Sequence, residues 1–285
     1  MKYLHIILYS LFILTLSACG GSGGGGDDDD VVAPRFPTPT LPAGAVKIDA
    51  GNAAEIANTV LEFTGILFEF PFALKTEGPP SISQAIKLVT DGISKRNRNL
   101  GSVVAGKTED VSALFCDTGT ATDTFTETSD GTSESISGEI VFTNCDLGGL
   151  FLEGTFPYDA SSNGATLDFD FHFGGTLTFS IGIEAITLVL NFTESGNDGT
   201  GEFTLIPSFS LDEMPDGGYL VTTVQPLTGN FNPTVLLEMG ELNVEGADNT
   251  QLCMSVTAIN TVTVEFDDGL GGGCVPLAPP LDILL

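Results

Sequence analysis

The sequence predicts a mainly β protein, an antiparallel meander with two N-terminal helices packed against the sheet. Three observations support this fold class. Apolar and polar residues alternate with period two from about residue 166 to 192 and again in later segments, as in strands with one buried face. Turn sequences rich in Asn, Asp and Gly separate these runs, and short turns join antiparallel neighbours. Two segments before residue 100 instead repeat apolar residues at helical spacing.

The two helical segments differ in how clearly their ends are marked. Asn52 followed by Glu55 matches a capping box, and the apolar stripe behind it predicts a helix over 52–69 that ends before Pro71. A second apolar stripe predicts a helix over 81–98, with basic residues at its C-terminal end. We expect both helices to cover apolar surface of the sheet, because each has one apolar face.

The strand region begins after Lys107. Its alternating segments predict roughly ten to twelve strands. The parity of the alternation switches near Glu184-Ala185, so a turn or bulge is expected there. The resulting sheet has one apolar face and one acidic, Thr-rich face. Because the apolar face must be covered, we expect a curled sheet, a sandwich or a barrel.

The charge balance excludes one class of partner. The chain has 285 residues, with 9 Lys and Arg against 38 Asp and Glu and a formal net charge of −29 at pH 7. No Lys or Arg follows Lys107. Nucleic-acid-binding proteins place cationic side chains against phosphates, so a nucleic-acid partner is excluded. The expected ligands are cationic, carbohydrate or hydrophobic.

Composition divides the chain into three parts, a signal peptide, a tether and a folded domain. Residues 1–18 have a basic start and a short apolar stretch, which predicts a secretory signal peptide because the stretch is too short to span a bilayer. Residues 19–44 contain a Gly run, four consecutive Asp residues and several Pro residues, which predict a flexible tether. Residues 45–285 are then a single mainly β domain whose helical N-terminal part is 45–107.

The end of the signal sequence carries a lipidation motif. Leu16-Ser17-Ala18-Cys19 resembles the bacterial lipobox. This resemblance implies cleavage before Cys19, acylation of that residue, and a membrane partner reached through the N-terminal lipid. Gly20, where retained lipoproteins of enteric bacteria have Asp, implies transfer to the outer membrane.

Four further cysteines predict disulfides. An even number of cysteines in an exported chain favours disulfide bonding, and four thiols allow three pairings. We expect Cys116–Cys145 and Cys253–Cys274, because the members of each pair are close in sequence and bracket a predicted hairpin. Zinc is disfavoured because the chain has no Cys-x-x-Cys and the region after residue 107 has a single His.

Two groups of side chains are candidates for metal binding. Asp168, Asp170 and His172 share one face of a predicted strand, and a fourth ligand from a neighbouring strand would complete a site. Asp267 and Asp268 precede a glycine-rich turn that loosely matches a calcium loop. We expect weak calcium binding at such turns, no dedicated cofactor, and no assignable catalytic residue.

Parts of the mature chain resemble a group of uncharacterised, acidic, exported proteins of Gram-negative bacteria. The segments that carry the resemblance are Lys47 to Ala50, Asn52 to Ala57, Cys116, Gly138 to Cys145 and Gly154 to Phe156. The resemblance implies an exported location and supports the expected fold. It carries over no functional site.

These observations predict an outer-membrane-anchored lipoprotein with a non-enzymatic binding or structural role at the cell envelope. One alternative is a carrier that holds a lipid or other hydrophobic ligand in a pocket between the curled sheet and the helices. The second alternative is an envelope hydrolase that uses carboxylates or His172. The acidic domain would stand clear of the membrane, on its periplasmic face or at the cell surface, at the end of the tether.

Overall fold

The structure, a computed structural model, describes residues 36–67, 106–129, 132–181, 184–213, 217–231 and 236–284. In these ranges the protein is mainly β, as the sequence predicts. The strands are β1 (Lys107–Asp110), β2 (Thr118–Ser129), β3 (Ser133–Asp146), β4 (Phe151–Asn163), β5 (Asp168–Ile181), β6 (Glu184–Asn197), β7 (Glu202–Glu213), β8 (Tyr219–Asn230), β9 (Leu236–Glu245), β10 (Gln251–Ala258), β11 (Thr261–Asp267) and β12 (Val275–Leu284). The helical elements are α1 (Ala53–Leu67), α2 (Ser112–Phe115) and a 3₁₀ turn (Ala247–Asn249).

All twelve strands belong to one antiparallel sheet, and their order in space follows their order in the chain. The meander is therefore confirmed. Of the three arrangements expected, the structure has the curled sheet, which stays open because no pairing joins β1 to β12 in the described residues. Within the same ranges, no helix combines the length and apolar character needed to cross a membrane.

The two faces of the sheet differ in polarity. The inner face carries the aromatic core, and its rings are at most 2% exposed at Phe142, Phe173, Phe192 and Phe209. The outer face is the opposite side, which carries polar residues such as Asp170 on alternate positions of the same strands. The period-two pattern thus determines which side chains enter the core.

The turns on either side of β5 explain one success and one error of the sequence analysis. The hairpin that pairs Ile181 with Glu184 accounts for the expected switch in parity. Leu167, in contrast, continues the apolar alternation but lies in a turn, with a φ of 63° and 42% of its surface exposed. The reason is local, because the Asn163 side chain accepts a hydrogen bond from the amide of Ala165 at 2.9 Å and so closes the turn there.

The first helix forms with a different N-terminal cap. It begins at Ala53, and Asp49 accepts hydrogen bonds from the amides of Gly51 at 2.7 Å and Asn52 at 3.2 Å. The Asn52 side chain instead accepts from the amide of Asp49 at 2.8 Å. The predicted capping box is therefore replaced by an Asp-centred turn, a choice that the sequence spacing alone leaves open.

The α1 helix contributes buried residues to the hydrophobic core. Val60 and Ala57 are fully buried, and the ring of Phe63 stacks on the ring of Phe209 in β7 with centroids 5.2 Å apart. This contact links the first helix to the inner face. The second expected helix, over 81–98, lies outside the described residues.

The N-terminal arm, residues 36–48, crosses from the outer face to one end of the sheet. The ring of Phe36 stacks on the imidazole of His172 with centroids 3.4 Å apart. Farther along, the amide of Val46 donates to the carbonyl of Gly218 at 2.8 Å, and the amide of Ile48 donates to Thr250 Oγ1 at 2.9 Å. Residues 36–44, which the composition assigns to the tether, thus contact the folded domain.

A buried polar pair links β2 to β4 across β3. The Tyr158 hydroxyl donates to the carboxylate of Asp123, with distances of 3.1 and 3.0 Å to the two oxygens, and both residues are 1% exposed. Gly138 of β3 lies beneath the tyrosine, where a Cβ would be 2.6 Å from the hydroxyl oxygen. The missing side chain at this position is what allows the ring to pass over β3.

Both predicted cysteine pairs lie at disulfide distance. Cys116 and Cys145 have Cα atoms 5.1 Å apart and enclose the β2–β3 hairpin. Cys253 and Cys274 have Cα atoms 6.2 Å apart and enclose the β10–β11 hairpin. Sequence proximity selects these partners because each pair flanks strands that are neighbours in the meander.

Candidate functional site

A polar groove lies at one end of β2, β3, β4 and β5 and has a volume of about 430 Å³. Six of its ten lining residues carry a hydroxyl group, namely Thr128, Ser129, Ser133, Ser135, Ser161 and Ser162. The other four are Asn163, Glu134, Asp168 and Asp170. The register places the side chains of Ser129, Glu134 and Ser162 on the opposite face from the rest. Its volume is in the range of ligand-binding sites, and all ten of its lining residues have polar side chains.

The strand register arranges part of this lining in a row. Thr128 pairs with Ser135, Ser135 with Ser161, and Ser161 with Asp170. Neighbouring strands are about 4.8 Å apart, so the row presents polar groups at a regular interval across the sheet. The hydroxyls of Thr128 and Ser135 are themselves 2.6 Å apart.

A second row runs parallel to the first. Ser133 pairs with Asn163, and Asn163 pairs with Asp168. The row continues onto β6, where the amide of Asn197 donates to Asp168 Oδ1 at 2.6 Å. The two rows are two residues apart along each strand, which is a distance of about 7 Å.

The carboxylates of the groove are in different electrostatic environments. Hydrogen bonds from the side chains of Thr166 and Asn197 lower the pKa of Asp168. Partial burial raises the pKa of Glu134, and repulsion from Glu127 raises it further. Partial burial also raises the pKa of Glu127, which neighbours the groove residue Thr128. Asp168 is therefore stabilised as an anion, whereas Glu134 protonates more readily. The register places their side chains on opposite faces of the sheet, because Asp168 pairs with Asn163 and Glu134 pairs with Ser162.

The first candidate metal group is separated by the structure. Asp168 and Asp170 both line the groove, whereas His172 lies under the N-terminal arm. His172 Nε2 is 2.8 Å from Asn191 Oδ1, and the ring of Phe36 stacks on the His172 imidazole. In the ranges that the structure describes, no group of three or more His, Cys, Asp and Glu side chains is arranged to hold a metal ion.

The second candidate group holds a turn together. Asp267 accepts hydrogen bonds from the amide of Gly269 at 2.9 Å and the side chain of Gln251 at 3.4 Å. Asp268 accepts from the amide of Leu270 at 3.0 Å. These bonds shape the connection after β11, which is six strands from β5 in the sheet. Weak calcium binding at this turn stays a prediction.

The groove is the feature that the sequence analysis missed, apart from Asp168 and Asp170. Its other side chains come from the ends of β2 and β4 and the start of β3. A signal was present, because hydroxyl residues occupy alternate positions over 122–128 and 133–137. Such a pattern places a hydroxyl stripe on one face of each strand.

The comparisons with known proteins add no relative to this description. No protein-family model, curated protein sequence or solved structure matches the chain. The fold and the groove by themselves describe a mainly β protein that presents an open polar surface.

Proposed function

We propose that this protein is an outer-membrane lipoprotein with a non-enzymatic binding role at the cell envelope. Lipid on Cys19 would attach it to the membrane, and the residues between Cys19 and the N-terminal arm would act as the spacer. The lipobox supports this proposal, as do the two cysteine pairs at disulfide distance, since disulfides persist in oxidising compartments.

The polar groove is the observation that carries the binding role. It is open to solvent, it crosses four strands, and each of its lining residues carries a hydroxyl, amide or carboxylate group. Those groups offer many hydrogen-bond donors and acceptors on rigid strands. Surfaces of this kind bind by several modest polar contacts rather than by one covalent or metal-centred step.

The helical part of the domain would serve to cover the inner face. We propose that the helices over 52–69 and 81–98 both pack there, and the stacking of Phe63 on Phe209 supports this for the first. A domain closed in this way directs its ligand chemistry to the outer face and the groove.

Membrane attachment is tested by replacing the acylated residue. Cys19→Ser should release the full-length chain from the membrane fraction, whereas a matched Ser22→Ala change in the tether should leave it sedimented. Intact-mass analysis of the wild type should show the mass of a diacylglyceryl group at the new N-terminus. An unmodified N-terminus, or a Cys19→Ser protein that still sediments with membranes, contradicts the proposal.

A hydrolase, the second alternative, is not favoured by the two carboxylates with opposite pKa shifts. Glycoside hydrolases need two carboxyl groups on either side of one bond. Glu134 pairs with Ser162 and Asp168 pairs with Asn163, which places their side chains on opposite faces of the sheet.

A further inference from the structure

We propose that the polar groove binds an extended stretch of a neutral polysaccharide laid across β2 to β5. The inference rests on the proposed binding role of the groove and adds the chemical class of the ligand. It does not depend on lipidation of Cys19.

The hydroxyl lining is the first reason. A Ser or Thr hydroxyl both donates and accepts, and so does each hydroxyl of a sugar. Four hydroxyl groups of the groove share the outer face and can therefore match a sugar ring whichever way its own hydroxyls point; they belong to Thr128, Ser133, Ser135 and Ser161. A ligand with only acceptors or only donors would use half of this capacity.

The carboxylate and amide groups are the second reason. An ionised carboxylate accepts through two oxygens, which suits a pair of neighbouring sugar hydroxyls. Asp170 lies beside Ser161 in the first row, and Asn163 lies beside Asp168 in the second. On β4 and β5, each row thus places a carboxylate, which is a strong acceptor, next to a hydroxyl or amide group that can also donate.

The same lining excludes other ligand classes. No Lys or Arg lines the groove, so phosphate, sulfate and uronate groups would meet carboxylates without a compensating cation. An apolar ligand would bury the hydroxyls without hydrogen bonds, at a cost in free energy. Since no described side chains form a metal-binding group, a protein-held divalent ion is also disfavoured.

The shape of the groove indicates a chain rather than a single terminal sugar. Its first row crosses four strands, which span about 14 Å from β2 to β5, and its second row crosses β3 to β5. Within the groove lining, Thr128 and Asp170 stand at the two ends of the first row. A linear polymer of pyranose rings can place successive rings along such a row, whereas one ring would contact only its middle.

The test measures binding of oligosaccharides of equal length and different charge. Saturation-transfer NMR is recorded on the full-length chain in a sugar-free detergent, with cellohexaose, chitohexaose and maltohexaose as neutral probes and hexagalacturonate as the anionic probe. We expect at least one neutral probe to bind and hexagalacturonate to give no signal. Ser161→Ala/Asp170→Ala should weaken the binding about tenfold, through loss of hydrogen bonds.

Thr178→Ala is the matched control, because Thr178 lies on the same face of β5 outside the groove lining. It should bind the neutral probe like the wild type, and both variants should keep the wild-type unfolding midpoint. The inference is overturned if none of the three neutral probes binds, or if the double variant binds equally well. Equal binding of hexagalacturonate also overturns it. The inference is likewise overturned if the cation spermidine is the only probe that binds. Fractionation of Cys19→Ser tests membrane attachment separately.

Discussion

Removal of the Tyr158 hydroxyl should destabilise the domain by about 2 kcal/mol. In the folded protein this hydroxyl donates to the carboxylate of Asp123 at 3.0 and 3.1 Å, and both residues are 1% exposed. Tyr158→Phe keeps the ring and removes only the donor, so packing is preserved. Removing one partner of a buried hydrogen bond costs about 1–3 kcal/mol, because the remaining buried group is left less well satisfied.

The measurement is urea unfolding of the full-length chain with its disulfides intact. The midpoint should fall while the m-value stays constant, because the surface exposed on unfolding does not change. For a domain of this size, the thermal midpoint should fall by about 4–8 °C. The matched control is Ser161→Ala, an outer-face hydroxyl whose loss should cost less than about 0.5 kcal/mol.

A double-mutant cycle isolates the pair itself. Asp123→Asn is combined with Tyr158→Phe, and the coupling free energy should exceed about 1 kcal/mol because the two side chains are in contact. The reasoning fails if Tyr158→Phe unfolds at the wild-type midpoint. It also fails if the two changes are additive, since the hydroxyl would then contribute independently of the carboxylate.

Three further perturbations have defined outcomes. Phe36→Ala should increase protease cleavage within the N-terminal arm, because it removes the stacking contact with His172. Such a contact contributes about 0.5–1.5 kcal/mol. Unchanged cleavage would contradict this anchoring of the arm. Glu134→Gln should raise the thermal midpoint at pH 7 but not at pH 3. The folded-state pKa of Glu134 lies above its ordinary 4.5, so its ionisation costs stability as pH rises through and above that value; a pH-independent difference would refute the assignment. Reduction of Cys253–Cys274, with a sequence separation of 21, should cost about 3 kcal/mol in the chain-entropy model, and an unfolding midpoint unaffected by reductant would contradict it.

Local sequence patterns predicted where strands form and which side chains are buried better than they predicted which residues meet in space. The alternation around Phe173 and Phe192 correctly identified buried positions, because side chains on a strand alternate between its faces whatever the strand pairs with. The cysteine partners were also predictable from the sequence, since a meander keeps sequence neighbours adjacent in space. Leu167 was misassigned because the Asn163 turn outweighs the alternation at that residue.

The candidate site was less predictable for a related reason. Asp168 and Asp170 were recognised as strand carboxylates, but their grouping with the hydroxyls of β2, β3 and β4 depends on the register of three hairpins. His172 was grouped with them by spacing, yet its partners are Asn191 on the next strand and the distant Phe36. Spacing along one strand gives the face of a side chain and not its neighbours.

The sequence by itself determined that the chain forms an antiparallel meander with one apolar and one polar face, since hydrophobic periodicity and turn composition act within a few residues. Only the tertiary structure decided that the sheet curls without closing, that the arm from Phe36 to Ile48 packs on it, and that hydroxyls and carboxylates meet in a groove. These features depend on contacts between distant residues, such as Ile48 with Thr250 at a separation of 202, which no local pattern encodes.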